Sequence, residues 1–166
     1  MDYFYFDTSA IVKRYSPESG SAKVDAIINK RTNVIILGNI AITEIYSALS
    51  KKYRTDEISM QDLLSALYRF EKDVSENSYR FLEVDNRTID ATKILILAHP
   101  GLRTYDALHL APALELFALH PFIVTSDMVL FETFRSEGLT VINPGTIKTT
   151  SFARGISRKT WPLQSS

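Results

Sequence analysis

The sequence contains no cysteine, which excludes disulfides and every metal site built on thiolates. It also carries no net charge, with 19 basic residues against 19 acidic ones, so the whole-chain balance gives no pull toward a polyanionic partner. No apolar run is long and clean enough for a membrane span. The nearest window, residues 107–124, is broken by His109, Pro112, Glu115, His120 and Pro121, and reads as a buried helix followed by a strand. Met1-Asp2-Tyr3 places no basic segment ahead of an apolar stretch, unlike a secretory signal. Internal repeats and low-complexity tracts are also missing. Together these absences predict a soluble cytoplasmic protein with no membrane partner.

What is present is a 45% hydrophobic chain of 166 residues, which suits one domain with a substantial core. Lys148, Arg154, Arg158 and Lys159 follow Thr146 with no acid among them, so the tail is basic and the body slightly acidic. The tail lacks periodicity, and the predicted division is a folded domain over 1–145 and a flexible basic tail over 146–166.

Tyr3-Phe4-Tyr5-Phe6 is a short continuous apolar run. Aromatic side chains favour strands, and a run without alternation suits a sheet covered on both faces. Similar signals place strands over 34–37, 79–84, 122–125 and 139–142. Helices are predicted over 9–15, 18–30, 40–53, 59–73, 87–98, 104–119 and 128–136, with Val24, Ile27 and Ile28 turned inward on the second. Strands alternating with helices imply an α/β fold with a central, mostly parallel sheet.

Four acids stand out against this frame. The first strand stops at Asp7-Thr8-Ser9, and the strand over 122–125 stops at Ser126-Asp127. Ligands of open α/β sheets bind at the carboxyl ends of the strands, so acids there are candidates for chemistry. Capping of the following helix is the alternative for both. Glu44 borders the apolar stripe Ala41, Ile45, Ala48 and Leu49; an ordinary exposed helical glutamate is its alternative. Asp106 falls on the face that carries Leu110, Ala113, Leu114 and Phe117, where it either complements the helix dipole or needs a cation to offset its desolvation. His109, one turn on, has no second histidine at i+4 to make a zinc pair and reads as a packing or supporting residue. Gathering four carboxylates requires compensation, and all-oxygen ligation favours Mg²⁺ or Mn²⁺. Metal-dependent phosphodiester hydrolysis suits that set.

Asp7-Thr8-Ser9-Ala10, Thr43-Glu44-Ile45, Tyr105-Asp106-Ala107-Leu108-His109-Leu110-Ala111 and Thr125-Ser126-Asp127 occur in that order. In order and spacing the set resembles the PIN-domain ribonucleases, especially the VapC-type toxins of toxin–antitoxin pairs, over residues 2–144. The resemblance implies a three-layer α/β/α PIN-like nuclease domain over 1–145. It implies Asp7, Glu44, Asp106 and Asp127 as a catalytic quartet around Mg²⁺ or Mn²⁺. Asp7 and Asp106 would be direct ligands, Asp127 a ligand or water-mediated partner, and Glu44 the group that orients metal-bound water. Thr8 and Ser126 would be supporting hydroxyls. It also implies an RNA substrate, a homodimer and a cognate antitoxin protein. Lys13 and Arg14 are candidate RNA contacts, or a solvated helix terminus, and the basic tail is open to the same two readings. Pro112 departs from the family pattern and predicts a kink, because it deletes a helix bond to the carbonyl of Leu108.

Two rivals belong to other classes. One is a catalytically weak PIN fold that holds RNA or a protein. The other is a Mg²⁺-dependent phosphatase or phospho-acceptor domain, disfavoured because no second acid lies two residues after Asp7.

Overall fold

Alternation along two neighbouring strands sets the architecture. In a computed structural model that describes residues 1–146, strand β1 (Asp2–Phe6) pairs in parallel with β2 (Asn33–Gly38), Phe6 opposite Leu37. The expected tail lies, from Ile147 on, outside the described residues. Successive side chains of a strand point to opposite faces. Phe4, Phe6, Ile35 and Leu37 therefore enter one core, and Tyr5 and Ile36 the other. Both faces are covered, which is why the sequence shows a continuous apolar run.

Three short strands complete the sheet: β3 (Arg80–Leu82), β4 (Phe122–Val124) and β5 (Thr140–Ile142). The order is β3-β2-β1-β4-β5, and every pairing is parallel. On the first face lie α1 (Thr8–Ile11), which continues as a 3₁₀ turn over Val12–Arg14, then α2 (Ser21–Ile28), α3 (Ala41–Arg54) and α4 (Met60–Ser75). On the second lie α5 (Asn86–Ala98), α6 (Thr104–Glu115) and α7 (Met128–Ser136). The result is the three-layer α/β/α arrangement. Fully buried Phe6, Phe70 and Phe134 anchor it, each contributing about 1.5–3 kcal/mol through removal of apolar surface from water.

The chain winds outward from β1 through β2 to β3, then crosses to build β4 and β5 on the other side. That reversal separates the loops after β1 and β4 and opens a crevice between them. Phe6 stands in register with Val124, so Asp7 and Thr125 leave the sheet side by side.

A second polar feature braces the first face. The Tyr15 and Tyr79 hydroxyls and Arg14 Nε all donate to Asp73 Oδ2, at 2.8, 3.1 and 2.9 Å. The two hydroxyls also bond one another, tying the 3₁₀ turn to α4 and to the approach to β3.

Two expectations change. The helix predicted over 104–119 ends at Glu115, because the amides of Leu116 and Leu119 reach back only three residues, to Ala113 and Leu116. His120 then closes the turn in the left-handed region, at φ 49°. Phe117, expected on the buried face, is consequently exposed. Pro112 lies inside α6, which continues past it for three residues. Among the described residues no helix is long and apolar enough to cross a membrane.

Candidate active site

The two strand-end acids cap helices and also approach the other acids. Asp7 is the N-cap of α1. Its Oδ2 accepts from Ser9 N at 3.3 Å, from the Ser9 hydroxyl at 2.5 Å and from the Thr125 hydroxyl at 2.9 Å. Asp127 is the N-cap of α7, and its Oδ1 accepts from the amides of Val129 and Leu130 at 2.7 and 3.0 Å. Capping and clustering were alternatives in the sequence; both acids cap, and the charges of both reach Asp106.

Ser9 joins the two strand ends. Besides binding Asp7, its hydroxyl oxygen accepts from the amides of Ser126 and Asp127 at 2.9 and 3.2 Å. Ser9 and Thr125 thus hold Asp7. Thr8, expected as a supporting hydroxyl, donates to a carboxylate oxygen, Glu44 Oε2, at 2.5 Å. Ser126 Oγ is buried with no hydrogen-bond partner among the described residues. The signal for Ser9 was its place two residues after a capping aspartate, a common site for a local side-chain bond. A Ser9→Ala variant is expected to lose about 1–3 kcal/mol of stability, since the Ser126 amide loses its acceptor and the Asp127 amide keeps only the Thr125 hydroxyl. Urea denaturation would measure this, and an unchanged midpoint would deny the bridging role.

His109 is the centre that sequence reasoning underweighted. It is 2% exposed, and its Nε2 lies 2.7 Å from Glu44 Oε2 and 3.5 Å from Asp7 Oδ1. The imidazole of α6 therefore gathers a carboxylate from α3 and another from the end of β1. Burial alone would lower its pKa, but the bond to Glu44 and the charges of Asp7, Glu44 and Asp106 raise it above the ordinary value. Burial pushes Glu44 upward in turn, and the bond and charge of His109, with the Thr8 hydroxyl, hold it below the ordinary carboxyl range.

Asp106 lies in the first turn of α6 and accepts from the amide of Arg103 at 3.3 Å. Its pKa is raised, first by burial, which the Arg103 amide partly offsets, and then by the negative charges of Asp127 and Asp7. Asp106 thus lies close enough to Asp127 and Asp7 for their charges to act on it. Even so, among the described residues no three acid or histidine side chains stand in a ready-made ligand shell. The donor chemistry suits a hard divalent cation, and the unpartnered Ser126 hydroxyl leaves the site unsatisfied, while Asp106 and Asp127 are turned onto backbone amides.

Lys13 and Arg14 are not part of this cluster. Lys13 is buried and paired with Glu18. Arg14 binds Asp73 and Asp25, at 2.9 and 3.0 Å. It borders a cavity of about 380 Å³ whose lining holds Arg14, Arg69 and Lys72 against Asp25, Asp73 and Glu76, so the cavity has no excess charge to draw a phosphate. Both basic residues are engaged in bracing the fold.

The comparisons agree with this fold. PAE2754 from Pyrobaculum aerophilum is 22% identical, with a TM-score of 0.60 over 84% of this chain and 83% of that one. FitAB, solved on a DNA fragment, gives a TM-score of 0.62 at 16% identity, covering 89% of this chain and 99% of that one. VapBC2 from Rickettsia felis, solved on a DNA fragment from its promoter, gives 0.54 at 14% identity over 85% and 98%. No protein with a curated description matches the chain. The sequence profile of the PIN domain matches residues 4–127, three quarters of the chain, and the chain belongs to the PIN domain family.

Proposed function

We propose that this protein is an endoribonuclease dependent on Mg²⁺ or Mn²⁺ and the toxin of a toxin–antitoxin pair. The observation that carries the chemistry is the place of Asp106 at the switch point of the sheet, partly buried and within reach of the charges of Asp127 and Asp7. Carboxylates held together in this way call for a cation. Membership of the PIN family supports a nuclease. The toxin reading draws on the fold shared with FitAB, with VapBC2 and with a toxin–antitoxin complex from Klebsiella pneumoniae. A homodimer, a cognate antitoxin and a cytoplasmic location complete the proposal, with residues 1–145 as its nuclease domain.

In this reading Asp7, Asp106 and Asp127 hold the metal. When bound, the ion polarises the scissile phosphate and stabilises the leaving oxygen. The chain's own contribution is orientation. Ser9 and Thr125 fix one oxygen of Asp7, leaving Oδ1 facing the crevice beside His109. Glu44, kept ionised by His109 and Thr8, is the group that orients and accepts a proton from the attacking water. Ser126 offers its unpartnered hydroxyl to a phosphate oxygen or a water.

A second reading, a PIN fold that binds RNA or a protein and cuts poorly, draws on one observation. Asp106 and Asp127 each spend one oxygen on backbone amides. One experiment separates the two: cleavage of mixed cellular RNA by the purified protein with Mg²⁺, Mn²⁺ or EDTA, alongside Asp7→Asn. The nuclease reading expects cleavage that needs metal and is lost in the variant. RNA shifted in a gel but left intact under every metal condition would replace it with the binding reading.

A further inference from the structure

Tyr5 is fully buried on the second face of β1, where a phenol hydroxyl needs a partner to offset its desolvation. Its hydroxyl stands 3.3 Å from His109 Nδ1, with the backbone of Gly38 at the end of β2 close beside it. A side chain at position 38 would meet that hydroxyl at 3.1 Å, so glycine allows the close approach.

These contacts form a relay: the Tyr5 hydroxyl engages Nδ1 of His109, and Nε2 on the far side of the ring lies 2.7 Å from Glu44 Oε2. A bond at one ring nitrogen orients the other. Nε2 also faces Asp7 Oδ1 at 3.5 Å. Any buried histidine satisfies its nitrogens; what sets this one apart is that its Nε2 meets carboxylates from two separate elements.

We infer that Tyr5 and His109 are positioning residues: the relay fixes Glu44 relative to Asp7 and so sets how tightly the acid set holds a divalent cation. This rests on the metal-dependent reading above. Neither residue touches the reacting atoms in this account. Their effect passes through the two carboxylates, in the way that partners behind a metal's ligands tune its affinity.

The test is Mn²⁺ binding to the full chain by isothermal titration calorimetry, with thermal melts to establish folding. His109→Leu is expected to weaken Mn²⁺ about 10–100-fold. His109→Gln, whose amide can donate from near the position of Nε2, is expected to recover most of that loss. Tyr5→Phe, which removes one oxygen, falls between parent and His109→Leu. Folded His109→Leu protein that binds Mn²⁺ as tightly as the parent, or more tightly, overturns the inference, as does a folded Gln variant no better than Leu. If His109→Leu does not fold, Tyr5→Phe decides alone, and unchanged affinity there is equally fatal. A parent protein that binds no Mn²⁺ overturns the metal reading itself and the inference with it, an outcome distinct from any difference among variants.

Discussion

An Asp106→Asn protein is expected to lose metal-dependent RNA cleavage by at least about a hundredfold, yet to melt at a higher temperature than the parent in metal-free buffer. The two effects share one cause. Asp106 is raised by burial and by the charges of Asp127 and Asp7, so in the absence of a cation its ionised form is disfavoured in the fold. The sign follows from linkage. A carboxyl whose folded pKa lies above its unfolded value binds more protons folded than unfolded between the two, so stability is full below the ordinary value of 3.8 and falls as pH rises through the raised one. Asparagine cannot ionise and escapes that loss. The gain in melting temperature is therefore present at neutral pH and disappears in acid below the ordinary value. Added Mn²⁺ should reverse the order, because a ligand that binds only the folded state stabilises it, and the parent binds it better. Cleavage at the parent rate would remove Asp106 from the mechanism. A lower melting temperature at neutral pH would mean that its bond to the Arg103 amide outweighs the repulsion.

Asp73→Ala is expected to cost about 2–4 kcal/mol of unfolding free energy at neutral pH, because one oxygen serves three donors and a charge is left behind on Arg14. Burial raises Asp73, but the bonds from Arg14, Tyr15 and Tyr79 and the charge of Arg14 bring it below the ordinary value. Burial likewise raises both tyrosines, and Asp73 adds to this; Tyr79 raises Tyr15 further, whereas the bond with Tyr15 works the other way on Tyr79. A depressed carboxyl contributes stability above its unfolded pKa of 3.8 and loses it as pH falls through the folded value. The gap between parent and variant should accordingly be widest near neutrality and narrow once the solution is more acidic than the folded pKa. Urea denaturation across that range measures it. A gap independent of pH would assign the cost to lost packing alone. RNA cleavage per folded molecule should be unchanged, since the network lies apart from the acids of the crevice.

Much of this protein follows from local pattern. Aromatic and β-branched runs mark the strands, 3.6-residue periodicity marks the helices, and abrupt strand ends at Asp7 and at Ser126-Asp127 mark the carboxyl edge. These are properties of a few consecutive residues, so they can be read without the rest of the chain. The same locality explains where the reading fails. Whether a helix keeps its geometry to residue 119 depends on which carbonyl each amide reaches, and the shift to three-residue bonds after Ala113 leaves Phe117 exposed. Lys13 and Arg14 have the sequence of a solvated helix end, but the fold sets Glu18, Asp73 and Asp25 against them.

The four acids were legible as candidates because each sits at a strand end or a helix border. Their partners were not. Ser9 reaches the amides of Ser126 and Asp127, and His109 reaches Glu44 and Asp7, across separations that no periodicity spans. The sequence by itself determined the fold class, the element order and where the candidate acids fall on those elements, because short-range propensity and burial decide those. The strand order β3-β2-β1-β4-β5 brought β1 and β4 together, and only that tertiary pairing decided which hydroxyl holds which carboxylate and that a histidine stands among them. Hydrogen bonds depend on ångström distances between groups remote in the chain, and those distances exist only once the sheet has closed.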